Sequence, residues 1–354
     1  MQISINGPLK ILDCTFRDGG YYTNWSFPDE LVRDYISTMA ELPVDAIELG
    51  YAGKTSCCGK FANVDNLLGR SLRPRADVML AVMLDAKDYR DSGNIIGAKL
   101  DSDLGKRLQG GLDAVRIAVN FQTAPRCGLL ISELEKRGYH VFLNLMQIDL
   151  ATENEIRDCL NFVTEMSCLE AVYIADSLGS MRPSRVTELV QTFADPAPSR
   201  IGFHAHENSG LAIANSLCAL NNGCTWLDST IAGMGRGAGN ASTEQLLNAV
   251  EVPGFTNEAA CHLQHLITGH FEPLKSSKGW GYSMLYQTGA VQGLHPTYVQ
   301  EIQSDTSLTA VQALSWLNAI PANSSKFDRK QLETARASAF ADQTRLNTKL
   351  VGVA

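Results

Sequence analysis

Three residues of this sequence could together hold a divalent cation. His204-Ala-His206 places two imidazoles two residues apart, and residues i and i+2 of a β-strand point to the same face. Asp18, which follows a short apolar run near the start of the chain, could add a carboxylate. Such a set with open coordination positions suits Mn²⁺, Mg²⁺, Fe²⁺ or Zn²⁺. An isolated pair of histidines is weak evidence, so the prediction depends on a fold that brings Asp18 to them.

Arg17 stands directly before Asp18, in the segment Thr15-Phe-Arg-Asp-Gly19. Adjacent residues at a strand-to-loop turn can diverge, one toward a metal and the other toward a substrate. A guanidinium fixed beside a metal would stabilise the oxygen of an enolate. The alternative is a structural ion pair between Arg17 and Asp18. The first interpretation predicts an enzyme that stabilises an enolate beside a metal ion.

Further polar residues end other apolar runs of the chain. They are Glu48, Asp85, Asn144 and Asp176. By strand parity these side chains should point toward the mouth of the fold, where each could act as a base, support a metal ligand or join an interior hydrogen-bonded network. Four more residues could complete a proton relay: Tyr21, Tyr22, His295 and Tyr298. The sequence alone does not choose among them.

A glycine run, Gly233-Met-Gly-Arg-Gly-Ala-Gly-Asn240, follows the last apolar run. Its spacing resembles a dinucleotide-binding loop, but no ribose-binding acid follows it in a Rossmann unit, which excludes that function. Backbone N–H groups at Gly235 and Gly237 could approach an anion, or the run could simply form a tight turn. Asn240 could add an oxygen ligand to the metal or a hydrogen bond to one of its ligands.

The elements that must position these residues are eight short, strongly apolar runs that alternate with helical patterns. The runs are Leu9–Cys14, Ala46–Gly50, Val78–Leu84, Ala114–Val119, His140–Met146, Ala171–Asp176, Arg200–His206 and Thr225–Ile231. Strands this apolar, separated by helices, indicate a parallel sheet that is covered on both faces. Eight of them predict a closed (β/α)8 TIM barrel, for which about 250 residues is the usual size.

Strand parity explains how the metal-binding residues could meet. In such barrels the working residues lie at the C-terminal ends of the strands and in the loops that follow. We expect Asp18 to end strand one, and His204 and His206 to end strand seven. Alternate strands contribute to the same interior layer, and only strand eight separates these two. One shared metal site follows from this arrangement.

Helical patterns complete the organisation of the chain. Apolar residues recur at helical spacing in Asp29–Leu42 and in Ser209–Asn222. The polar stretch Lys87–Gly111 is a candidate lid. The strand rhythm stops near residue 250, which predicts a barrel over residues 1–255 and a helical C-terminal subdomain over residues 256–354 that packs against the barrel mouth or a partner.

The composition of the 354 residues limits the classes of function. Hydrophobic residues make up 45% and charged residues 19%, a normal globular balance, and the net charge is −8. This charge argues against a nucleic-acid or anionic-membrane partner. No apolar run approaches the roughly 20 residues of a membrane span, and the N-terminus lacks the layout of a signal peptide. We expect a cytoplasmic protein.

The cysteines show no pattern of a structural zinc site. There are nine, with Cys57 and Cys58 adjacent and the others scattered, and no CxxC pair occurs. Buried free thiols in a reducing compartment are the better interpretation.

The motifs together resemble those of the DRE-TIM metallolyases. Thr15-Phe-Arg-Asp-Gly19 is similar to their strand-one signature, and His204-Ala-His206-Glu-Asn208 to their strand-seven signature. The segment from Gly223 to Asn240 resembles strand eight of 4-hydroxy-2-oxovalerate aldolases, and Ala175-Asp-Ser177 resembles their strand six. The resemblance extends over residues 9 to about 250, and the motifs in combination are highly specific for the superfamily.

The resemblance implies a metal-dependent carbon–carbon lyase. The residues that correspond to Asp18, His204 and His206 would bind the cation, usually Mn²⁺ or Mg²⁺. Arg17 would stabilise the enolate of pyruvate or of an acyl group during aldol or Claisen cleavage or condensation. The candidates for substrate binding in the matched motifs are Asp176, Ser177, Gly235 and Gly237.

One departure from the aldolases concerns the base. They carry a catalytic histidine at the position of Tyr21, and tyrosine is a poor base near neutral pH unless its pKa is strongly lowered. Another group, such as His295 or a metal-bound water, could take the proton, or the substrate could differ. The C-terminal segment Gly279–Tyr298 resembles aldolase-like proteins of uncertain substrate. In the aldolases the C-terminal helices dock a partner dehydrogenase, so a dehydrogenase or a second copy of this chain is a candidate partner.

Alternative functions remain beside the aldolase acting on a small 2-oxo acid. A synthase of the isopropylmalate-synthase type would use acyl-CoA, although no basic cluster for CoA is evident. A catalytically reduced scaffold barrel is supported only by Tyr21. An Fe²⁺ oxygenase would leave the Arg17–Asp18 pair unexplained.

Overall fold

Eight parallel strands close into a barrel in the computed structural model of the protein, which describes residues 9–53, 59–89, 93–195 and 200–351. The adjacent cysteines 57 and 58 lie outside the described residues. The strands are β1 (Lys10–Asp13), β2 (Ala46–Tyr51), β3 (Met79–Asp85), β4 (Ala114–Asn120), β5 (His140–Met146), β6 (Leu169–Asp176), β7 (Ile201–Ala205) and β8 (Trp226–Ser229). They pair in chain order, and β8 pairs with β1. The predicted (β/α)8 architecture is confirmed.

Helices cover the outside of the barrel and continue past its last strand. The barrel helices are α1 (Thr15–Thr23), α2 (Asp29–Glu41), α3 (Asn66–Ser71), α4 (Gly93–Asp103), α5 (Gly128–Lys136), α6 (Glu153–Glu165), α7 (Pro183–Ala194), α8 (Ala212–Asn221) and α9 (Thr243–Ala249). The later helices are α10 (Asn257–Leu266), α11 (Glu272–Lys278), α12 (Met284–Val291), α13 (Pro296–Ser304), α14 (Ala310–Asn318) and α15 (Arg329–Val351). Among the described residues, no helix is both long and apolar enough to cross a membrane.

The described residues of the candidate lid, Lys87–Gly111, include the outer helix α4, and the lid itself stays a prediction. Residues 86–89 form a 3-10 turn after β3, and α4 follows with Ile96 and Leu100 buried. Ile96 and Leu100 belong to the apolar cluster of the barrel, whereas Ile95 is exposed, so α4 packs on the barrel with one face.

The chain after β1 departs from the predicted course. Strand β1 ends at Asp13, and the backbone enters α1 at Thr15, so Asp18 lies inside a helix and does not end the strand. The N–H of Asp18 donates to the carbonyl of Cys14 at 2.9 Å, and the buried Asp13 carboxylate accepts the N–H of Thr15 at 3.0 Å. These local bonds start the helix immediately after the strand.

Small and aromatic side chains fill the interior of the barrel. One interior cluster combines Leu12, Cys14, Ala46, Ala81, Ala114, Phe142, Ala171, Tyr173 and Trp226. The rings of Phe142 and Trp226 meet edge to face, with centroids 5.2 Å apart. Large rings from some strands fit against alanines from others, so the barrel is a packed core and the site lies at its mouth.

The C-terminal helices pack in two groups. Buried residues from Ala259 to Trp280 belong to the same apolar cluster as the barrel helices. A second cluster begins at Tyr286, continues to Ala339 and also includes Ala238 of the glycine run. The predicted boundary at residue 255 stays a prediction. We propose that the separate subdomain core begins between Trp280 and Tyr286, because the apolar contacts divide there.

Candidate metal centre

Asp18 and Arg17 project from the first turns of α1 into the barrel mouth. The Asp18 carboxylate accepts Arg17 Nη1 at 2.6 Å through Oδ1 and Asn240 Nδ2 at 2.5 Å through Oδ2. The carbonyl of Arg17 accepts the indole N–H of Trp25 at 2.8 Å. An added methyl at Gly20 would lie 2.2 Å from that indole, so only glycine lets Trp25 take this position. The turn thus holds both charged side chains in place.

The two histidines lie where β7 ends, each with one ring nitrogen already bonded. His204 Nδ1 lies 2.7 Å from Asp228 Oδ2, and His206 Nδ1 lies 3.3 Å from the carbonyl oxygen of Gly239. Such bonds place the proton on Nδ1 and leave Nε2 as the free lone pair, the usual arrangement of a metal-binding histidine. His204 Nε2 is 3.7 Å from Asp18 Oδ2.

The structure brings together the three residues for which a metal site is expected. Asp18, His204 and His206 are all buried, and one ligand atom of each lies within 4.8 Å of the others. Cys14, His204 and Asp228 form a second geometric group. In that group burial raises the pKa of the Cys14 thiol well above its usual value, and His204 would have to give up its bond to Asp228. The first set is therefore the better ligand set.

Protonation states also suit the first set. Burial opposes ionisation of Asp18, but Arg17 and the two imidazoles hold the pKa of its carboxyl below the ordinary value. Burial lowers the pKa of His206 to about 3. The site therefore presents an ionised carboxylate and a neutral imidazole near neutral pH, the forms that bind a metal ion.

A buried ion-pair network lies directly beneath this set. Arg116, on β4, donates from Nη1 to Glu48 Oε2 at 2.9 Å and from Nη2 to Asp228 Oδ2 at 2.6 Å. Arg17 Nε donates to the same Glu48 oxygen at 2.7 Å. Although burial disfavours its charge, Asp228 and Glu48 hold the pKa of Arg116 above the usual value. The network links His204 to Arg17 through three charged side chains.

The charge of the network fits a bound cation. Asp18, Glu48 and Asp228 are three buried carboxylates, and Arg17 and Arg116 are two buried guanidiniums, which leaves one uncompensated negative charge. An uncompensated charge is costly in a buried site, and a divalent cation would supply the missing positive charge.

The glycine run Gly233–Asn240 places Asn240 beside His206 and Asp18. His206 and Asn240 form an isolated antiparallel bridge, and the Nδ2 group of Asn240 donates to Asp18. Its Oδ1 is buried without a hydrogen-bond partner among the described residues. Gly239 has φ of 102°, and a methyl there would lie 2.0 Å from the carbonyl oxygen of Gly233. Glycine is thus required at 239 for the close approach that brings Asn240 to Asp18.

A cavity of about 600 Å³ opens above the three candidate ligands. Its wall includes Arg17, Asp18, Tyr21, Tyr51, Asp85, Lys87, Asn120, Asn144, Gln147, Ser177, His204, His206, Arg236, His295, Lys326 and Phe327. The C-terminal helical part thus contributes to the site through His295 and the segment Ser325–Phe327. Asn144 Oδ1 is buried without a partner among the described residues.

Several residues expected in the site lie outside this wall. Glu48 is buried in the network beneath Arg17, where it positions guanidiniums. Asp176 accepts the N–H groups of Ser180 and Met181, and burial raises the pKa of its carboxyl to about 8. The adjacent Ser177 does line the cavity. The Asp176 carboxylate, through its bonds to Ser180 and Met181, stabilises the loop that follows β6.

Tyr298 and the two glycines also have structural positions. The Tyr298 hydroxyl lies in the second apolar cluster, where it donates to Gln331 at 2.5 Å and accepts the N–H of Asp328 at 2.9 Å. It takes no part in lining the cavity. Gly235 packs against Asn240, and the carbonyl of Gly237 accepts the Tyr22 hydroxyl at 2.6 Å. These residues shape the glycine loop and lie behind the wall.

Two cavity residues can carry a proton. The Tyr21 hydroxyl, 3.1 Å from that of Tyr51, lies on the wall beside Arg17 and Asp18. Burial, and then the neighbouring Tyr21, raise the pKa of Tyr51 well above its usual value. Burial, with a smaller contribution from Arg236, lowers the pKa of His295 to about 3, so its imidazole is neutral near pH 7.

Sequence reasoning missed three charged residues of this region: Arg116, Asp228 and Arg236. A signal existed for two of them. Arg116 is the single charge inside the apolar run Ala114–Val119, and Arg236 is the single side chain with a charge inside the glycine run. A charge buried in a strand that is covered on both faces requires a partner, but the identity of that partner depends on the barrel register.

Known proteins resemble this chain over most of its length. A family model described as HMGL-like matches residues 122–268. A 4-hydroxy-2-oxovalerate aldolase of Pelotomaculum thermopropionicum is 30% identical over 251 residues, which are 70% of this chain and 71% of that protein. A 4-hydroxy-2-oxovalerate aldolase of Burkholderia thailandensis is 29% identical over 315 residues, 83% of each chain.

Solved structures extend the comparison. The crystal structure of the N-terminal domain of a candidate aldolase from Bacteroides vulgatus has a TM-score of 0.72 and 30% identity, covering 86% of this chain and 100% of that one. The carboxyl transferase domain of pyruvate carboxylase from Rhizobium etli, solved with pyruvate, has a TM-score of 0.66. Its identity is 14%, and the match covers 96% of this chain and 61% of that one. This second likeness concerns the fold alone.

Proposed function

Because the chain belongs to the HMGL-like family, the DRE-TIM metallolyases, and is a divalent-metal-dependent carbon–carbon lyase of the aldolase type, we propose that it acts on a pyruvate-derived 2-oxo acid through an enolate. One observation carries the proposal. A carboxylate, two imidazoles and a guanidinium, from Asp18, His204, His206 and Arg17, share one end of a single cavity. Such a set, with a bound cation, would hold a 2-oxo acid and stabilise its enolate.

The residues fit a resident cation, with Asp18, His204 and His206 as its ligands. We propose Mn²⁺ or Mg²⁺, and when bound it would act as a Lewis acid that polarises the 2-oxo carbonyl. The orphaned Oδ1 of Asn240 and the uncompensated negative charge of the network support such a site. Asn240 donates to Asp18 through Nδ2 and would position that carboxylate, while its Oδ1 stays available as a further ligand.

Arg17 would stabilise the enolate oxygen. In the cleavage direction the bond between the enolate carbon and the hydroxyl-bearing carbon breaks, and the hydroxyl proton moves to a base. The bonding electron pair enters the enolate of the 2-oxo acid, and protonation of that carbon gives the free acid. The guanidinium is preorganised for this charge because Asp18 and Glu48 hold two of its nitrogens.

Tyr21 and His295 are the protein groups that we propose for proton transfer. The Tyr21 hydroxyl, hydrogen-bonded to that of Tyr51, could donate to or accept from the substrate oxygen. His295 is neutral and lines the same cavity from the C-terminal part. Glu48 and Tyr298, which the sequence also suggested, would act indirectly, the first by positioning Arg17 and the second by packing beneath the Ser325–Phe327 segment.

We also propose a setting for the protein. No disulfide joins any two of the seven described cysteines, which suits the reducing cytoplasm. The C-terminal helical part contributes residues to the cavity wall. A second copy of the chain or a partner dehydrogenase that docks on these helices would therefore lie close to the site. A 4-hydroxy-2-oxo acid would be the substrate for cleavage, and an aldehyde the other product.

Exchange of pyruvate methyl protons with D₂O, followed by NMR, tests the enolate. Wild-type protein with Mn²⁺ should exchange them, and Asp18→Asn should abolish exchange. Asp113→Asn is the matched control, since Asp113 is also buried and is paired with two arginines, at 2.6 and 2.7 Å. It should retain exchange. Absence of exchange with every metal would refute the proposal.

Two further measurements separate the alternatives. A synthase would release free CoA thiol from acetyl-CoA in the presence of a 2-oxo acid, whereas an aldolase would not. A scaffold barrel would bind no metal, so elemental analysis of the purified protein distinguishes it from both enzymes.

A further inference from the structure

Arg236 is a cation in the cavity wall that the metal centre does not use. It lies in the glycine run after β8, between Gly235 and Gly237, and its side chain faces the cavity. Nη2 donates weakly to the carbonyl of Ser177 at 3.4 Å, and Nε is buried without a partner among the described residues. The guanidinium also lies 5.6 Å from the centre of the Tyr21 ring.

No carboxylate of the described residues forms an ion pair with Arg236. Each of the other arginines deep in the site is paired: Arg17 with Asp18 and Glu48, and Arg116 with Glu48 and Asp228. The Arg236 charge also reaches His295, whose pKa it helps to lower. An unpaired guanidinium in a partly desolvated wall is suited to an anion that arrives with a ligand.

The size of the cavity indicates which ligand this is. At about 30 Å³ per liquid water, a volume of 600 Å³ has room for about twenty waters. Pyruvate at Asp18, His204 and Arg17 would occupy a minor part of it. The remaining wall includes several hydrogen-bonding side chains, among them Asn120, Asn144 and Gln147, beside apolar ones such as Met146 and Phe327. It also includes the exposed Lys326, which forms no ion pair with another described residue. A short aliphatic aldehyde, with one carbonyl oxygen, would leave most of these polar groups without a partner.

We propose that the site takes an aldehyde that carries an anionic group, a carboxylate or a phosphate, and that Arg236 binds this group. The proposal rests on the proposed function, since it assigns the co-substrate of the same reaction. Arg236 is a specificity residue in this assignment: it contacts the acceptor half of the substrate, while Arg17 serves the 2-oxo acid. Its fork can hold two oxygens of either anion.

Matched aldehydes test the proposal with the full-length, Mn²⁺-loaded enzyme and pyruvate. The pairs are butanal with 4-oxobutanoate, and glyceraldehyde with glyceraldehyde 3-phosphate, which distinguish a carboxylate from a phosphate. We expect kcat/KM to favour the anionic member of at least one pair by about tenfold to a hundredfold, the range for a charge-assisted contact. Arg236→Gln should remove this preference, and Arg236→Lys should keep part of it. No preference in the wild type would overturn the proposal.

Proton exchange into pyruvate alone separates other roles of Arg236. If Arg236 bound the carboxylate of the 2-oxo acid, Arg236→Gln would raise the KM of exchange. If it only positioned Tyr21, the variant would slow neutral and anionic aldehydes equally. Either result would overturn the assignment. Arg126→Gln is the control for net charge, because Arg126 is exposed and lies outside the cavity wall. It should leave the preference unchanged.

The affinity of unreactive anions tests the role of Arg236 without requiring that the enzyme turn over a substrate. Glycerol 3-phosphate and 4-hydroxybutanoate are unreactive probes, and glycerol and butan-1-ol are their neutral counterparts. Calorimetry should show binding of an anionic probe that Arg236→Gln weakens by at least tenfold. Such binding in a protein that fails to exchange pyruvate protons would refute the proposed reaction and retain the anion site. No binding of either anion would refute the anion site.

Discussion

Asp228 should determine how tightly the metal centre binds its cation, although it is not one of the proposed ligands. Its Oδ2 accepts from His204 Nδ1 at 2.7 Å and from Arg116 Nη2 at 2.6 Å. The replacement Asp228→Asn keeps the size of the side chain and removes its charge. The amide oxygen can still accept a hydrogen bond, but His204 and Arg116 lose their charge-assisted bonds to a carboxylate, and Glu48 becomes the one acidic partner of Arg116 among the described residues.

The expected magnitude follows from the lost contact and the changed charge. Loss of a partner that orients a metal-binding histidine weakens metal affinity by about 10–100-fold, which is about 1.4–2.8 kcal/mol. The buried network also changes from one net negative charge to none, which reduces its attraction for a cation. We expect the Mn²⁺ dissociation constant of Asp228→Asn to rise by at least tenfold. Because two charge-assisted buried bonds are weakened, the free energy of unfolding should also fall, by about 1–3 kcal/mol.

Titration of metal-free protein with Mn²⁺, followed by electron paramagnetic resonance of the free ion, measures the affinity directly. Asp113→Asn separates metal binding from stability. Asp113 is buried and pairs with Arg73 and Arg107, but it precedes β4 and so lies at the opposite end of the barrel. It should lose stability and retain the wild-type affinity. An affinity within twofold of wild type for Asp228→Asn, or an equal loss in both variants, would refute the reasoning.

Three more predictions concern the loop, acid stability and proton transfer. Gly239→Ala should lower the free energy of unfolding by about 1–3 kcal/mol and weaken metal binding, because Gly239 has φ of 102° and its carbonyl contacts His206. In denaturant unfolding the control Gly269→Ala should show no loss of stability, since nothing lies within 4 Å of a methyl there and alanine is favoured over glycine in a helix. Burial lowers the pKa of His295 from 6.5 to about 3 in the folded protein. Between these two values the unfolded chain binds a proton at this residue and the folded protein does not, so the free energy of unfolding decreases as the pH is lowered. His295→Asn should remove up to about 1.4 kcal/mol of that loss per pH unit, measured by urea unfolding at pH 7 and pH 5.5. Tyr21→Phe should slow aldol cleavage by about 10²–10⁴-fold without changing Mn²⁺ affinity, and wild-type cleavage rates would remove Tyr21 from the proton path.

Local patterns were sufficient for most of the architecture. Strands buried on both faces require continuous apolar runs, and all eight runs became barrel strands, shifted by at most a few residues at their ends. The first run shows the limit of this reasoning. Nothing in its composition indicates that the helix begins at Thr15, because the start of α1 depends on bonds to the buried Asp13 and to Cys14.

Candidate site residues could be predicted from the sequence where a residue of that type rarely has a purely structural role at that position. Two histidines at one strand end, with a carboxylate and a guanidinium in sequence beside each other, are costly to bury without a function. Residues with ordinary structural uses were harder to assign. Asp176 satisfies backbone N–H groups and Tyr298 fills the second apolar cluster, and both uses depend on contacts with residues that the strand pattern does not locate.

The sequence by itself determined the barrel, the family and the choice of Asp18, His204 and His206 as candidate ligands, because these depend on periodicity and on short motifs. Only the tertiary structure decided how the charges are compensated. Arg116 and Asp228 are separated by 112 residues, and Arg236 meets the cavity through a loop whose course is set by close backbone contacts. Which charge is paired and which is left for a ligand depends on distances across the barrel. Those distances follow from the register of strands that are not neighbours in sequence.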